Sequence, residues 1–237
     1  MRTARIAGLT LAPALALGLA GASAATTWHD GDLVTYNQGD WGDTPDGTNP
    51  AAVLSDHYAT VYQSTFGVFE IGIPGSAGFS VQFTNVDDLI TFLPAAGAAG
   101  PLDSDLENPV TTPAGAFAGV VAGLKLNLDF TDAGLVAGTS GLRFGDLLLS
   151  NMSLVGLNGM SVRDFLATLN TALGGGTTAY SIDELDPEAA ALNGAFDHGV
   201  ATSYAQDHLE APVPEPGSLA LLALGALGLW VVRAKRG

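Results

Sequence analysis

Four histidines, His29, His57, His198 and His208, and 24 carboxylates are the groups in this chain best suited to chemistry. With no Cys, a thiol nucleophile, a thiolate zinc site, an iron–sulfur cluster and a disulfide framework are all excluded. No His stands in H-E-x-x-H, the spacing that puts two imidazoles on one helix face for a zincin. No G-x-S-x-G elbow presents a serine to a base. Gly174-Gly175-Gly176 lacks the strand and Lys of a phosphate-binding loop and reads as a helix stop. His198 and His208 can meet in space, but as single histidines they read as surface or helix-end residues. The sequence therefore assigns no catalytic residue and no cofactor, and a non-enzyme is expected.

The carboxylates allow two further chemistries. A pair of them can flank a glycosidic bond, but nothing in the sequence selects a pair. Calcium takes about six to eight oxygens from a flexible loop. Asp40, Asp43 and Asp46 precede Gly47, with Asp30 and Asp32 nearby, and Asp103, Asp105 and Glu107 form a second group. The EF-hand order is absent from both, so they read as polar loops, no metal site is assigned, and weak or no calcium binding is expected. Trp28, Tyr36 and Trp41 beside the first group can stack on sugar rings, but core or rim positions suit them better.

The ends are of another kind. Arg2 and Arg5 precede an apolar run over 6–20, and Ala22-Ser23-Ala24 closes it. This is the charge, apolar run and A-x-A order of a signal peptide, 1–24, with cleavage between Ala24 and Ala25 by signal peptidase. At the other end Pro212, Pro214 and Pro216 bracket Val213 and Glu215. An uncharged run over 219–232 follows, then Arg233, Lys235 and Arg236. A helix over 217–232 would be roughly 24 Å long, short for a hydrocarbon core of about 30 Å. Snorkelling of the basic side chains and local thinning absorb the difference. The basic residues, 233–237, stay cytoplasmic, so the middle of the chain is exported.

The order Pro214-Glu215-Pro216, apolar helix, basic cluster resembles the PEP-CTERM sorting signal of Gram-negative bacteria over residues 212–237. The resemblance implies that exosortase, a membrane-embedded transpeptidase-like cysteine enzyme, processes the tail at Pro214, Glu215 and Pro216. It makes Arg233, Lys235 and Arg236 the orienting residues. It also implies an association with exopolysaccharide, biofilm and envelope assembly: a single-pass inner-membrane precursor, then an envelope or extracellular protein. The same tail is sometimes labelled an ice-binding C-terminal domain. Ice binding needs a regular Thr array, and Thr26-Thr27, Thr111-Thr112 and Thr177-Thr178 are isolated pairs. The region from Trp28 to about Tyr204 resembles a domain of unknown function in secreted bacterial proteins. Leu33-Val34-Thr35-Tyr36, Asn158-Gly159-Met160-Ser161-Val162 and the stretch from Leu169 to Gly175 carry that likeness, which implies no activity.

The exported part, 25–211, holds 23 of the 24 acids and three of the eight bases, Lys125, Arg143 and Arg163. That balance keeps it soluble, repels nucleic acid and draws cations. Its 187 residues suffice for one core. Period-2 runs predict strands at Leu33-Val34-Thr35-Tyr36, 67–73 and 79–83, the last two joined by a turn over 74–78. Asn49-Pro50 opens a helix through Tyr62, and Asn85 caps another. Thr112-Pro113 opens a third, where Phe117, Val120, Val121, Leu124 and Leu128 fit a helix better than the competing alternation from Leu124 to Phe130. Ser161 opens the clearest helix, ended by Gly174. For the last, Asp186 and Pro187 are preferred as its start over a capping box at Ser181 and Glu184, with Gly199 as its end. Residues 94–113 read as a Gly/Pro/acid-rich loop. The expectation is a single α+β domain, strands first and helices after, followed by the transmembrane tail, 212–237. The alternative function is a carbohydrate- or calcium-dependent binding module, and behind it a two-carboxylate hydrolase.

Overall fold

A computed structural model describes residues 26–64 and 67–212. Its centre is the helix α4 (Ala116–Asp132), buried on nearly every side, from Phe117 and Val121 to Leu124, Leu128 and Phe130. Burial on nearly every side explains the competing periods in its sequence, because a helix covered almost all round needs little polar face. It starts after Gly115, beyond the predicted Thr112-Pro113, and Gly115 takes a positive φ that brings its backbone against Ala98. Around it pack α5 (Val162–Leu173), α6 (Ile182–Asn193), the short α1 (Gln38–Trp41) and the strand β1 (Phe69–Gly72). Gly119 and Gly123 allow the close approach: a Cβ on Gly119 would lie 1.8 Å from Gln38 Oε1.

The first half alternates helix and strand. Asn49 caps α2 (Pro50–Tyr58) by accepting from Ala52 N–H at 2.9 Å, and a π-helical turn carries it on to Gln63. The strand β1 pairs antiparallel with β2 (Ser80–Phe83) across the predicted turn, in the register Phe69↔Phe83. Asn85 caps α3 (Val86–Phe92). The loop over 94–113 contains β3 (Leu106–Glu107), parallel to β2. This strand was not predicted; two residues are too few to show a period.

The α+β class holds, with seven α-helices and seven short strands among the described residues. Two local expectations are corrected. The segment Leu33-Val34-Thr35-Tyr36 makes one isolated parallel bridge, Thr35 with Asp197, and no ladder. Its polar groups go elsewhere: Thr35 N–H donates to Phe196 O and Tyr36 N–H to Asn127 Oδ1. The helix α6 starts at Ser181 with a full capping box, Ser181 N–H donating to Glu184 Oε2 at 2.8 Å, and Pro187 lies inside it. It ends at Asn193, before a hairpin of β5 (Phe196–Asp197) and β6 (Val200–Ala201). Gly199 thus serves the hairpin turn at φ +88° and ends no helix. The helix α7 (Ser203–His208) leads into β7 (Leu209–Glu210), which pairs antiparallel with β4 (Leu148–Leu149).

Candidate functional site

The two ends of the described chain are tied together. Trp28 Nε1–H donates to Leu209 O at 2.9 Å, and Trp28 exchanges backbone bonds with the Gln206 side chain. Ala211 N–H donates to Thr26 Oγ1 at 2.9 Å. Trp28 is buried edge-on against Phe196, so the clasp is anchored in the core. Ordered contacts therefore begin just after the predicted cleavage site and persist to the edge of the tail. Ala24, Ala25, Pro214, Glu215, Pro216, Arg233, Lys235, Arg236 and the apolar run over 219–232 lie outside the described residues. Among the described residues no helix is long and apolar enough to cross a membrane.

The predicted acidic groups are mostly engaged in hydrogen bonds. Asp30 accepts from Ala201 N–H and Asp32 from His29 N–H. Asp46 accepts from Thr48 and Asn49 N–H, which holds its carboxyl below the usual range. Asp43 accepts from Thr44 N–H and Asp103 from Ser104. Asp105 and Glu107 face Glu70, which sequence reasoning did not single out, across an open groove of about 280 Å³ with Ser80 and Gln82. Each carboxylate there holds β2: Asp105 accepts from Ser80 N–H, Glu70 from Ser80 Oγ–H and Glu107 from Gln82. Two of the three bases are paired, Lys125 with Asp129 at 2.8 Å and Arg163 with Asp132 at 2.8 Å. Trp28 and Trp41 are core residues, in line with the expectation of core or rim positions, which leaves Tyr36 alone of the three at a partly exposed position.

One constellation is assembled only by the fold. Asp40, Asp197 and His198 bring ligand atoms within 4.8 Å of one another, the one such group of three among the described residues. Asn37 caps α1 in a capping box: Asp40 Oδ2 accepts from Asn37 N–H at 3.0 Å. This leaves Oδ1 turned to His198 Nε2 at 3.6 Å. The other imidazole nitrogen, Nδ1, sits 2.9 Å from Asp197 Oδ1. His198 occupies the β5–β6 turn at φ +50°, in the left-handed region that few non-glycine residues adopt and where His is among those enriched. Tyr36 closes one side, edge-on to the imidazole at 5.1 Å. Burial first, and the Asp40 charge second, push the Tyr36 hydroxyl up. Of the predicted candidates the structure unites Asp40, Tyr36 and His198. Asp197 was missed, although Asp-His-Gly before a β-branched residue is a legible turn signal. His208 has separate partners, Tyr204 and Ser150 O.

Comparison with known proteins returns one family. The model of the PEP-CTERM protein-sorting motif matches residues 212–236. No curated protein and no solved structure matches the chain. The matched segment starts next to Ala211, where the hydrogen-bonded clasp is still intact. Residues 212–236 thus carry a PEP-CTERM sorting motif, a signal that implies an exported, membrane-anchored precursor and is of the kind recognised by the membrane enzyme exosortase.

Proposed function

We propose that residues 25–211 are a non-enzymatic cargo domain of the cell envelope or extracellular matrix, delivered among exopolysaccharide by processing of its tail. In this reading 1–24 is removed by signal peptidase, 217–232 spans the inner membrane, and Arg233, Lys235 and Arg236 hold the end in the cytoplasm. The observation that carries it is the sorting motif abutting the clasped end of the fold. The matched segment starts at residue 212, directly after the hydrogen-bonded Ala211, so the signal follows the closed body in the chain and is no part of its clasp. The carboxylates offer further support, because those traced above serve mainly to cap loops and pin strands.

The test is Pro214→Ala with Glu215→Ala in hosts with and without exosortase. Neither residue lies in the predicted apolar run, so insertion is kept. Wild-type protein should shorten only where exosortase is present, and the double variant should accumulate at full length in the inner membrane. Identical full-length anchored protein in both hosts would reduce the tail to a plain tether.

A further inference from the structure

We propose that Asp40 and His198, with Asp197 behind the imidazole, form a binding site for one divalent transition-metal ion of the zinc type. The argument begins with the hydrogen atoms. Asp197 Oδ1 is 2.9 Å from His198 Nδ1, a hydrogen-bond distance, and a carboxylate can only accept, so Nδ1 carries the hydrogen. In a neutral ring Nε2 then carries the lone pair, and it lies 3.6 Å from Asp40 Oδ1. Two electron-rich atoms face each other, and a cation between them turns repulsion into attraction.

The separation leaves room for a bridging ion. A proton shared between imidazolium and carboxylate draws nitrogen and oxygen to about 2.7–2.9 Å. Zinc bonds of about 2.0–2.2 Å, opened to roughly 110–120°, hold the two atoms about 3.4–3.6 Å apart. The observed distance is 3.6 Å. Carboxylate behind imidazole in front of metal is also how metal-binding histidines are fixed in tautomer and orientation. The second oxygen of Asp40 is tied to Asn37 N–H, so its free oxygen is held in place. His198 is 55% and Asp40 22% exposed at the side chain, which leaves room for water to complete the coordination. Imidazole selects zinc, copper or nickel over calcium and magnesium, which prefer oxygen alone. The acid excess of the surrounding domain raises the local cation concentration. The ion would join α1 to the β5–β6 turn, two parts of the chain far apart in sequence.

The test is titration of the full-length chain, purified in detergent at neutral pH, with zinc chloride alone. Calorimetry should show one saturable site. Cobalt(II) should give the visible absorption of a nitrogen- and oxygen-ligated ion. His198→Asn removes the imidazole while keeping a residue that accepts positive φ, and Asp40→Asn keeps an acceptor for the capping box. Each should weaken zinc at least tenfold, with metal-free melting curves confirming the fold. Asp197→Asn should weaken it by tenfold or more through loss of ring orientation. Absence of saturation by about 1 mM zinc, unchanged affinity in His198→Asn, or calcium binding more tightly than zinc would overturn the proposal.

Discussion

Asn127→Leu should be among the most damaging single changes in the exported domain. Asn127 is fully buried on α4 and uses every polar atom of its amide. Oδ1 accepts from Tyr36 N–H at 2.9 Å and Trp41 Nε1–H at 3.3 Å. Nδ2 donates to Tyr36 O at 2.8 Å and Asn193 Oδ1 at 3.0 Å. Asn193 in turn donates to Val120 O at 2.9 Å. Leucine keeps the branching and the number of side-chain heavy atoms, so it opens no cavity, and the extra bulk of its methyl groups adds packing strain to the polar loss. Two partners, Trp41 Nε1 and Asn193 Oδ1, become buried and unpaired at about 1–3 kcal/mol each. The two Tyr36 backbone groups are partly exposed and can turn to water, so about 0.5–1 kcal/mol each is lost there. The polar total is about 3–8 kcal/mol, a large fraction of the ~5–15 kcal/mol that stabilises a typical domain. Urea unfolding followed by tryptophan fluorescence measures it, because Trp41 reports from the site itself. Asn193→Leu in the same background should cost less than it does alone, since its partner is already gone. A loss under about 1 kcal/mol for Asn127→Leu, or strict additivity of the pair, would refute the network as a stabilising unit.

Gly119→Ala should displace Gln38, whose Oε1 accepts from Ala95 N–H at 3.0 Å. The expected loss is about 1–3 kcal/mol despite the better helix former, read from the urea midpoint. Asp186 has a buried, unpartnered Oδ1, and burial first, then the Asp183 charge, raise its carboxyl. A raised acid prefers its proton in the folded state, so its ionised form opposes folding at neutral pH and the penalty disappears on acidification. Asp186→Asn should therefore raise the melting temperature at pH 7, and the gain should shrink as pH falls below the folded-state value and vanish below the unfolded one. Glu184 is the opposite case: bonds from Ser181 lower its carboxyl, so its contribution is present above the unfolded value and lost as pH falls through the folded one. Glu184→Gln should accordingly flatten stability against pH on the acid side. Sequencing the mature protein should give Ala25 as the first residue.

Elements with strong local signals were legible in the sequence. Ser161 and Gly174 bound α5 as expected, because a side-chain cap and a glycine stop act within one turn. Asn49-Pro50, Asn85 and the β1–β2 hairpin followed for the same reason. Where tertiary partners outbid local preference, the reading failed. The strand-like Leu33-Val34-Thr35-Tyr36 gave its backbone to Asn127 and the β5–β6 hairpin. Pro187 sits within α6 because the capping box starts the helix early, and packing against α4 supports it. The Asp40–His198 pairing was illegible because nothing local links α1 to a turn near the other end of the domain. The backbone bonds of Thr35, two residues before the Asn37 cap, to Phe196 and His198 bring them together.

The clasp between Trp28 and Leu209 also imposes a timetable. Its partners are separated by 181 residues, and Thr35 waits on Asp197 in the same way. A chain that emerges in sequence order holds Trp28 idle until Leu209 arrives. At roughly 5–20 residues per second, the delay is about ten to forty seconds. Closing so long a loop is also among the slower steps a small domain can take. The exported body therefore completes itself only as the segment matched by the sorting motif follows it out. Folding and arrival of the signal coincide, so a truncated chain lacking the last strand would reach the far side both unaddressed and unfinished.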